Sequence, residues 1–385
     1  MQLIVKNMKQ TYKSITFIIF CFVVLFDFAI QFHAGELDLL KPPSPDQDYY
    51  GQVQVATDYE EMAYGYNQLL RIKSHQSIDA YPVGIYKAKK LSDQDLNDLQ
   101  AFVSQMVPSG RIQEPSDIAI DIETYHSFIK DLDRSVGGAT ILGSTFYNPS
   151  RVMTYEEALE EYEVLIQGNY SNAFARYASD YLGITAALFI PFLSAFLLMK
   201  DKRTQTEDLI FSSPVSPARY IFTKFWALVL CIMSLYMAIA LFETGLFMGL
   251  SYKYDLSFNV LAFVSHMVVW ILPTVMMVTA VPMLVSVVFS NGIIATVSQF
   301  LVSFFMLTQV PLEGKTGWWH LFLRFNGLGD YDHYETLRRG FLANRLGLSL
   351  AALLVVVGVS RVWKIKRDQL FMKGISHDNT CKASS

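Results

Sequence analysis

The feature that most constrains this chain is a series of apolar runs, each about as long as a membrane-spanning helix. A helix rises about 1.5 Å per residue, so a hydrocarbon layer of about 30 Å needs roughly 20 apolar residues. Apolar residues make up 52% of the chain and charged residues only 17%, which predicts an integral membrane protein. The six runs cover residues 15–32, 181–199, 225–250, 258–289, 293–310 and 346–363.

The first run, residues 15–32, has two interpretations. Lysines precede it, and a basic start before an apolar core is also typical of a cleaved signal peptide. The run is longer than a usual signal core, and residues 31–36 match a small-residue cleavage site poorly. We therefore predict an uncleaved spanning helix, preceded by a cytoplasmic amino terminus, in residues 1–33.

The distribution of basic residues predicts the orientation. Six spans with a cytoplasmic amino terminus place the N-terminal lysines, residues 200–224 and the tail at 364–385 on one side. Short loops rich in Lys and Arg favour the cytoplasm, so both termini are predicted to be cytoplasmic. Residues 34–179 and 311–344 then lie outside, and the exceptions to the charge rule are Arg338, Arg339 and Arg345.

The predicted outer domain, residues 34–179, has the composition of a folded polar domain. It contains twice as many acidic as basic residues, and it contains no cysteine, so its apolar core must stabilise it without disulfides. The predicted fold class is a membrane all-α protein with six transmembrane helices and this α/β domain inserted between the first and the second helix. The second to the sixth transmembrane helices lie within residues 180–363. The expected elements are a strand at 80–87 and helices at 92–106, 122–132 and 154–166.

Motifs for independent catalysis are absent from the sequence. It lacks a phosphate-binding Gly-x-x-x-x-Gly-Lys loop, a His-Glu-x-x-His pair, a Cys-x-x-Cys pair and a Gly-x-Ser-x-Gly elbow. The apolar runs also lack a paired catalytic constellation, which argues against an intramembrane enzyme. We therefore predict that the chain is not an enzyme.

A charged stretch, residues 200–224, separates the second and third apolar runs. A Ser-Pro pair ends a short amphipathic segment at Pro214, and Ser216 before Pro217 is typical of a new helix start. A short helix between two spans can transmit a movement to them. A solvated connector is the simpler alternative.

The same stretch combines charged and apolar side chains. Glu207 and Asp208 offer charged contacts, and Leu209, Ile210 and Phe211 offer an apolar anchor. This mixture is typical of a protein interface. A docking surface for a partner protein is therefore one interpretation of the stretch, beside the solvated connector.

A family motif lies in this stretch. The stretch contains Thr206, Asp208, residues 212–216 (Ser-Ser-Pro-Val-Ser) and Lys224. These residues resemble the loop motif of type-2 ABC exporter permeases, which are membrane subunits driven by separate ATPases. The sequence differs from the motif at Gln205, where the family usually has Gly, and at Asp208, where Glu is commoner.

This resemblance implies a permease that pairs with a second permease, identical or homologous, and with separate ABC ATP-binding subunits. ATP and Mg²⁺ would be bound by the partner subunits, and this chain would bind no cofactor. The resemblance also implies export across a bacterial cell (plasma) membrane, with membrane lipid around the spans and no nucleic-acid partner. The residues expected to couple to the ATPase are Thr206, Glu207, Asp208, Leu209, Phe211, Ser213 and Pro214.

The outer segment, residues 311–344, is predicted to be re-entrant or amphipathic. Trp318, Trp319 and Phe322 resemble an aromatic belt at the membrane interface. The segment before the last span also resembles the gliding-motility-type branch of these permeases, through His333, Tyr334, Arg339 and Gly340.

Acidic residues near this segment suggest a metal site only weakly. Asp330, Asp332, His333 and Glu335 lack a recognised ligand spacing. Pairing with the arginines at 338 and 339 is the simpler interpretation. No metal site is predicted.

Two ionisable residues interrupt the apolar runs, Asp27 and Glu243. An acid at membrane depth is costly, so each is a candidate for the translocation path or for a hydrogen bond between helices. Both lie toward the outer end of their runs, where a carboxylate reaching interfacial water is the simpler alternative.

The sequence supports two functional hypotheses. The first is a permease subunit of an ATP-driven ABC exporter, which couples ATP hydrolysis by a separate subunit to translocation. The second is a membrane-anchored sensor or immunity protein whose outer domain binds a ligand. The loop separates the two, because a sensor need not bind an ATPase through it.

Overall fold

The structure is a computed structural model. It describes residues 2–31, 40–55, 57–81, 86–143, 149–167, 170–203, 210, 215–309, 320–325, 328 and 331–383. The chain forms two compact units. One comprises Met1–Pro42 and Glu161–Ser385, and the other is Pro43–Glu160.

The first unit begins with two helices, α1 (Gln2–Tyr12) and α2 (Ile15–Gln31), that meet at a bend of 70°. The Ser14 hydroxyl accepts a hydrogen bond from the backbone N–H of Phe17 at 3.2 Å, which satisfies one free donor at the start of α2. Helix α2 covers nearly all of the first apolar run.

The unit Pro43–Glu160 contains both helices and strands. Its strands form two antiparallel pairs, the first with the last and the second with the third. Side chains including Leu69, Leu99 and Tyr125 form its apolar core. The elements are β1 (Gln52–Gln54), α3 (Asp58–His75), β2 (Ser77–Ala80), β3 (Lys87–Lys90), α4 (Asp93–Met106), a 3₁₀ turn (Pro115–Asp117), α5 (Ile122–Ser135), β4 (Ser150–Val152) and the start of α6 (Tyr155–Gln167).

The local signals in this unit predict its helices better than its strands. All three predicted helices form, and α4 is capped by Ser92, whose hydroxyl accepts from the backbone N–H of Asp95. The strand predicted at 80–87 is wrong: β2 ends at Ala80, β3 begins at Lys87, and residues 82–85 lie outside the described residues. The sequence at 80–87 did not reveal that two short strands, β2 and β3, pair with each other in antiparallel fashion.

The rest of the first unit is a bundle of helices. In chain order they are α7 (Tyr170–Phe189), α8 (Pro191–Ser194), α9 (Met199–Arg203), α10 (Pro217–Tyr254), α11 (Ala262–His266), a π-helix (Met267–Ile271), α12 (Leu272–Phe289), α13 (Gly292–Gln309) and α14 (Tyr331–Ala383).

Four stretches of this bundle are long and apolar enough to cross a membrane, and the bent pair of α1 and α2 would make a fifth. The apolar helix Gly292–Leu307 falls short of the required length among the described residues. Six predicted runs thus correspond to helices, of which four or five are candidate spans. The four stretches are Tyr170–Asp201, Pro217–Tyr254, Ala262–Phe289 and Tyr334–Gln369.

Hydrogen bonds from small hydroxyl side chains connect the bundle helices. Ser194 donates to the carbonyl of Val278 at 3.1 Å, and Ser303 donates to the carbonyl of Ala187 at 2.9 Å. Contacts of this kind hold helices together where lipid removes the hydrophobic driving force between them. Large apolar side chains such as Phe22 and Phe305 instead point outward, as in lipid-facing positions.

Candidate functional site

The seven residues predicted to couple to an ATPase, Thr206 through Pro214 without Ile210 and Ser212, lie outside the described residues. Ile210 is described: it is half-buried and packs against the bundle core. The structure therefore describes the two ends of this loop.

A buried ion pair joins the two ends of the loop. The Lys224 ammonium lies 2.6 Å from Asp201 Oδ2, with side chains only 12% and 18% exposed. The Tyr220 hydroxyl also donates to Asp201, and the Lys224 ammonium lies 5.3 Å from the centroid of the Tyr220 ring. We call Asp201, Tyr220 and Lys224 the loop clamp. It links the end of the candidate span Tyr170–Asp201 to the start of α10.

The start of α10 is fixed by its own sequence. The Ser216 hydroxyl accepts from the backbone N–H of Arg219 at 3.3 Å, and Pro217 occupies the first turn, where its missing N–H costs no hydrogen bond. This confirms the predicted helix start. It also sets Tyr220 and Lys224 one turn apart on one face of α10.

The loop clamp contacts the last helix. The Tyr220 ring packs on the Trp363 ring of α14 at a centroid distance of 4.9 Å. One turn further along α14, the Lys366 ammonium donates to the Val288 carbonyl at 3.2 Å and to the Ser290 hydroxyl at 2.7 Å. A cation there complements the negative end of α12. One end of the bundle thus joins α9, α10, α12 and α14.

The first predicted acid, Asp27, is half-buried on α2. It accepts a hydrogen bond from the Thr185 hydroxyl of α7. A T-shaped contact between Phe28 and Phe242, with centroids 6.3 Å apart, sets α2 beside α10 at the same level. Asp27 therefore makes the helix-to-helix hydrogen bond that was one of its predicted roles.

The second predicted acid, Glu243, is fully buried in α10. Neither carboxyl oxygen has a hydrogen-bond partner among the residues that the structure describes. Its face of α10 is buried along its length, with Tyr236, Ala240 and Phe247 on the same side. A carboxylate reaching interfacial water does not fit this position.

A short segment without regular structure, residues 320–325, is buried within the bundle. Leu321, Phe322 and Leu323 belong to the main apolar core. Phe322 is only 1% exposed, so its predicted place in an interfacial aromatic belt is wrong, while Trp318 and Trp319 lie outside the described residues. The sequence could not distinguish an aromatic ring at the membrane interface from one buried within the bundle.

Arg345 of α14 holds this segment. Its guanidinium donates to the carbonyls of His320 and Leu321 at 3.1 Å, and to the Thr274 hydroxyl at 2.9 Å. It also donates to the Trp270 carbonyl at 3.1 Å, in a π-helical turn followed by Pro273. Proline and π-turns leave carbonyls without their usual helical donors, and Arg345 supplies one.

The far end of the segment meets α7. The backbone N–H of Phe325 donates to Asp180 at 2.5 Å, and the Arg176 guanidinium lies 4.1 Å from the centroid of the Phe325 ring. The Tyr334 ring lies 5.3 Å from the same guanidinium. Arg176 and Asp180 were not predicted as site residues, because the predicted span begins at residue 181 whereas α7 begins at Tyr170.

The other predicted outer residues are His333, Arg339 and Gly340. Arg339 and Gly340 are exposed on α14, and the His333 side chain lies outside the described residues. Glu335 pairs with Arg338 at 3.1 Å, as expected for an ordinary exposed ion pair.

Together, these elements define a multi-pass helical membrane protein whose spans carry buried charged groups and a clamped loop. A model of the family described as ABC-2 family transporter protein matches residues 43–326, nearly three quarters of the chain. The chain therefore belongs to this family of ABC transporter membrane permeases. The match includes the folded unit Pro43–Glu160 and ends before α14. No curated protein and no solved structure matches the chain.

Proposed function

We propose that this chain is the transmembrane subunit of an ATP-driven ABC exporter in a bacterial cell membrane. Six spans would place both termini and the clamped loop in the cytoplasm, with the unit Pro43–Glu160 outside. This count takes α2, after the bend that follows α1, as the first span and α13 as a short span. The basic residues at the amino terminus, around the loop and after Trp363 support this orientation.

The observation that carries the proposal is the loop clamp. A solvated connector needs no buried ion pair at its base, because it only has to close a gap between two helices. A loop that receives a force needs both ends fixed to the spans. The contact between Asp201 and Lys224 supplies that attachment at 2.6 Å, and the family match supplies the context.

In this proposal the chemistry belongs to partner subunits. They bind ATP and Mg²⁺, and a second permease, identical or homologous, completes the translocation path. Closing of the ATPase pair displaces the segment that contains Leu209 and Phe211. The loop clamp passes the displacement to α10, and the Tyr220–Trp363 contact passes it to α14.

Docking of the ATPase tests the proposal. Leu209→Asp with Phe211→Asp removes the apolar anchor, so the ATP-binding subunit should no longer co-purify while the chain still inserts into the membrane. Leu70→Asp with Val152→Asp, which adds the same charges at exposed positions of the other unit, is the control. Unchanged docking of the loop variant would contradict the coupling assignment and favour a membrane-anchored sensor.

A further inference from the structure

Glu243 is an acid inside a candidate span that the bundle does not neutralise. Its residue is fully buried, and neither carboxyl oxygen is hydrogen-bonded among the described residues. It lies about 16 Å before the end of α10 at Tyr254, at 1.5 Å per residue. Burying an unpaired ionisable group is costly, and such groups within membrane spans usually mark a transport path.

The buried arginines of the bundle are engaged elsewhere. Arg345 donates to carbonyl and hydroxyl oxygens around residues 320–321, and Arg176 lies over the Phe325 ring. No ion pair within the described residues includes Glu243. A positive group that pairs with Glu243 would therefore come from outside the described residues.

Aromatic rings surround the next turn of the same helix face. The Phe247 ring lies 4.7 Å from that of Phe174, 5.0 Å from that of Phe263 and 6.3 Å from that of Tyr170, between centroids. Aromatic faces attract cations, most strongly where water is excluded. A single carboxylate beside such rings suits an organic cation better than a metal ion, which requires several oxygen or nitrogen ligands.

We propose that Glu243 and the rings around Phe247 form a binding site for a cationic group of an organic substrate. The assignment rests on the proposed exporter function, because a translocation path is what would bring a substrate to this buried residue. Asp27 lies at the same level on α2, as the contact of Phe28 with Phe242 shows. It provides a second carboxylate beside the path.

Binding of ethidium, a fluorescent organic cation, tests this site. Its anisotropy is titrated with the purified full chain in neutral detergent, without any ATPase. Glu243→Gln removes the negative charge with little change in shape, and should weaken binding at least about tenfold, or about 1.4 kcal/mol. Glu163→Gln, the same change at an exposed position, should leave binding unchanged and corrects for ethidium that enters the micelles.

Equal affinity of wild type and Glu243→Gln would overturn the proposal. Glu243→Leu should raise the thermal midpoint, because it removes an unpartnered acid from an apolar site. If both variants unfold, Glu243 is a structural group and the proposal is wrong. The ATPase-free assay separates this failure from failure of the exporter proposal, which concerns docking of the loop.

Discussion

The Lys224 ammonium lies 2.6 Å from Asp201 Oδ2 and joins two candidate spans at the base of the loop between them. Both groups are largely buried and share Tyr220 as a neighbour. Removing one member of such a pair leaves the other charge buried and unpaired. The pair therefore ties the geometry of the loop to that of both helices.

Reversing this ion pair tests its role. Asp201→Ala should lower the free energy of unfolding by about 3 kcal/mol, because Lys224 loses its carboxylate. Asp201→Lys combined with Lys224→Asp restores opposite charges, so it should recover part of the lost free energy of unfolding and part of the transport activity. Thermal unfolding in detergent and transport in vesicles are the measurements.

The exposed pair of Glu335 and Arg338 provides the control. Glu335→Ala should cost less than about 1 kcal/mol, because solvent screens exposed pairs. A reversed pair no better than either single charge reversal would show that the contact between Asp201 and Lys224 is incidental.

Loss of the ring contact between Tyr220 and Trp363 should uncouple ATP hydrolysis from transport. Trp363→Leu should leave the ATP-binding subunit attached, because it leaves Leu209 and Phe211 unchanged and Trp363 is only 8% exposed. ATP hydrolysis should then continue with reduced transport. Trp363→Phe, which keeps an aromatic ring, should retain more transport than Trp363→Leu, and equal transport by both variants would exclude a specific role of the ring.

The bonds of Arg345 predict that it protects the buried segment 320–325 from hydrogen exchange. Arg345→Met removes the guanidinium bonds to the carbonyls of residues 320 and 321, which then keep only the bonds from Asn344 and Thr274. A hydrogen bond to a charged group contributes about 1.5 to 3 kcal/mol. Hydrogen exchange of residues 320–325 should therefore become faster. Arg339→Met, at an exposed position on the same helix, should leave exchange unchanged, and unchanged exchange in both variants would contradict the anchoring role of Arg345.

Lowering the pH should destabilise the unit Pro43–Glu160, because protonation of Glu157 weakens its contact with Arg151. Hydrogen bonds from the Arg151 guanidinium, and then from the Thr154 backbone N–H, lower the pKa of Glu157 from 4.5 to about 2, and the same contact raises the pKa of Arg151. Because the folded pKa is the lower one, this stabilisation is complete above about pH 4.5 and is lost as pH falls toward about 2.

The measurement is the thermal midpoint of this unit's transition in the full chain as a function of pH. Glu157→Gln should have a lower midpoint at neutral pH and a smaller decrease in acid than wild type. Glu163→Gln, at an exposed position on the same helix, should follow wild type. Identical pH profiles for wild type and Glu157→Gln would show that the contact with Arg151 contributes nothing.

Local signals predicted much of this fold because they act over a few residues. Apolar runs of membrane length, the Ser216 cap before Pro217 and the Ser92 cap each specify a helix within one or two turns. The loop motif likewise identified the family, since it lies in one short stretch. These features require no knowledge of distant contacts.

Long-range contacts could not be predicted in the same way. The bond of Phe325 to Asp180 and those of Arg345 to residues 320 and 321 join parts of the chain far apart in sequence. Nothing local distinguishes Asp180 from a polar residue just outside a span. The unpartnered burial of Glu243 also depends on how neighbouring helices pack, so its sequence signal was only that of an acid within an apolar run.

The most direct test of the exporter assignment is purification of the chain from its native host in mild detergent. We expect an ATP-binding subunit in stoichiometric amount, ATP hydrolysis by the complex, and loss of that subunit when Leu209 and Phe211 are replaced by Asp. A chain that purifies alone and without ATPase activity in several detergents, each shown to preserve its fold, would contradict the assignment.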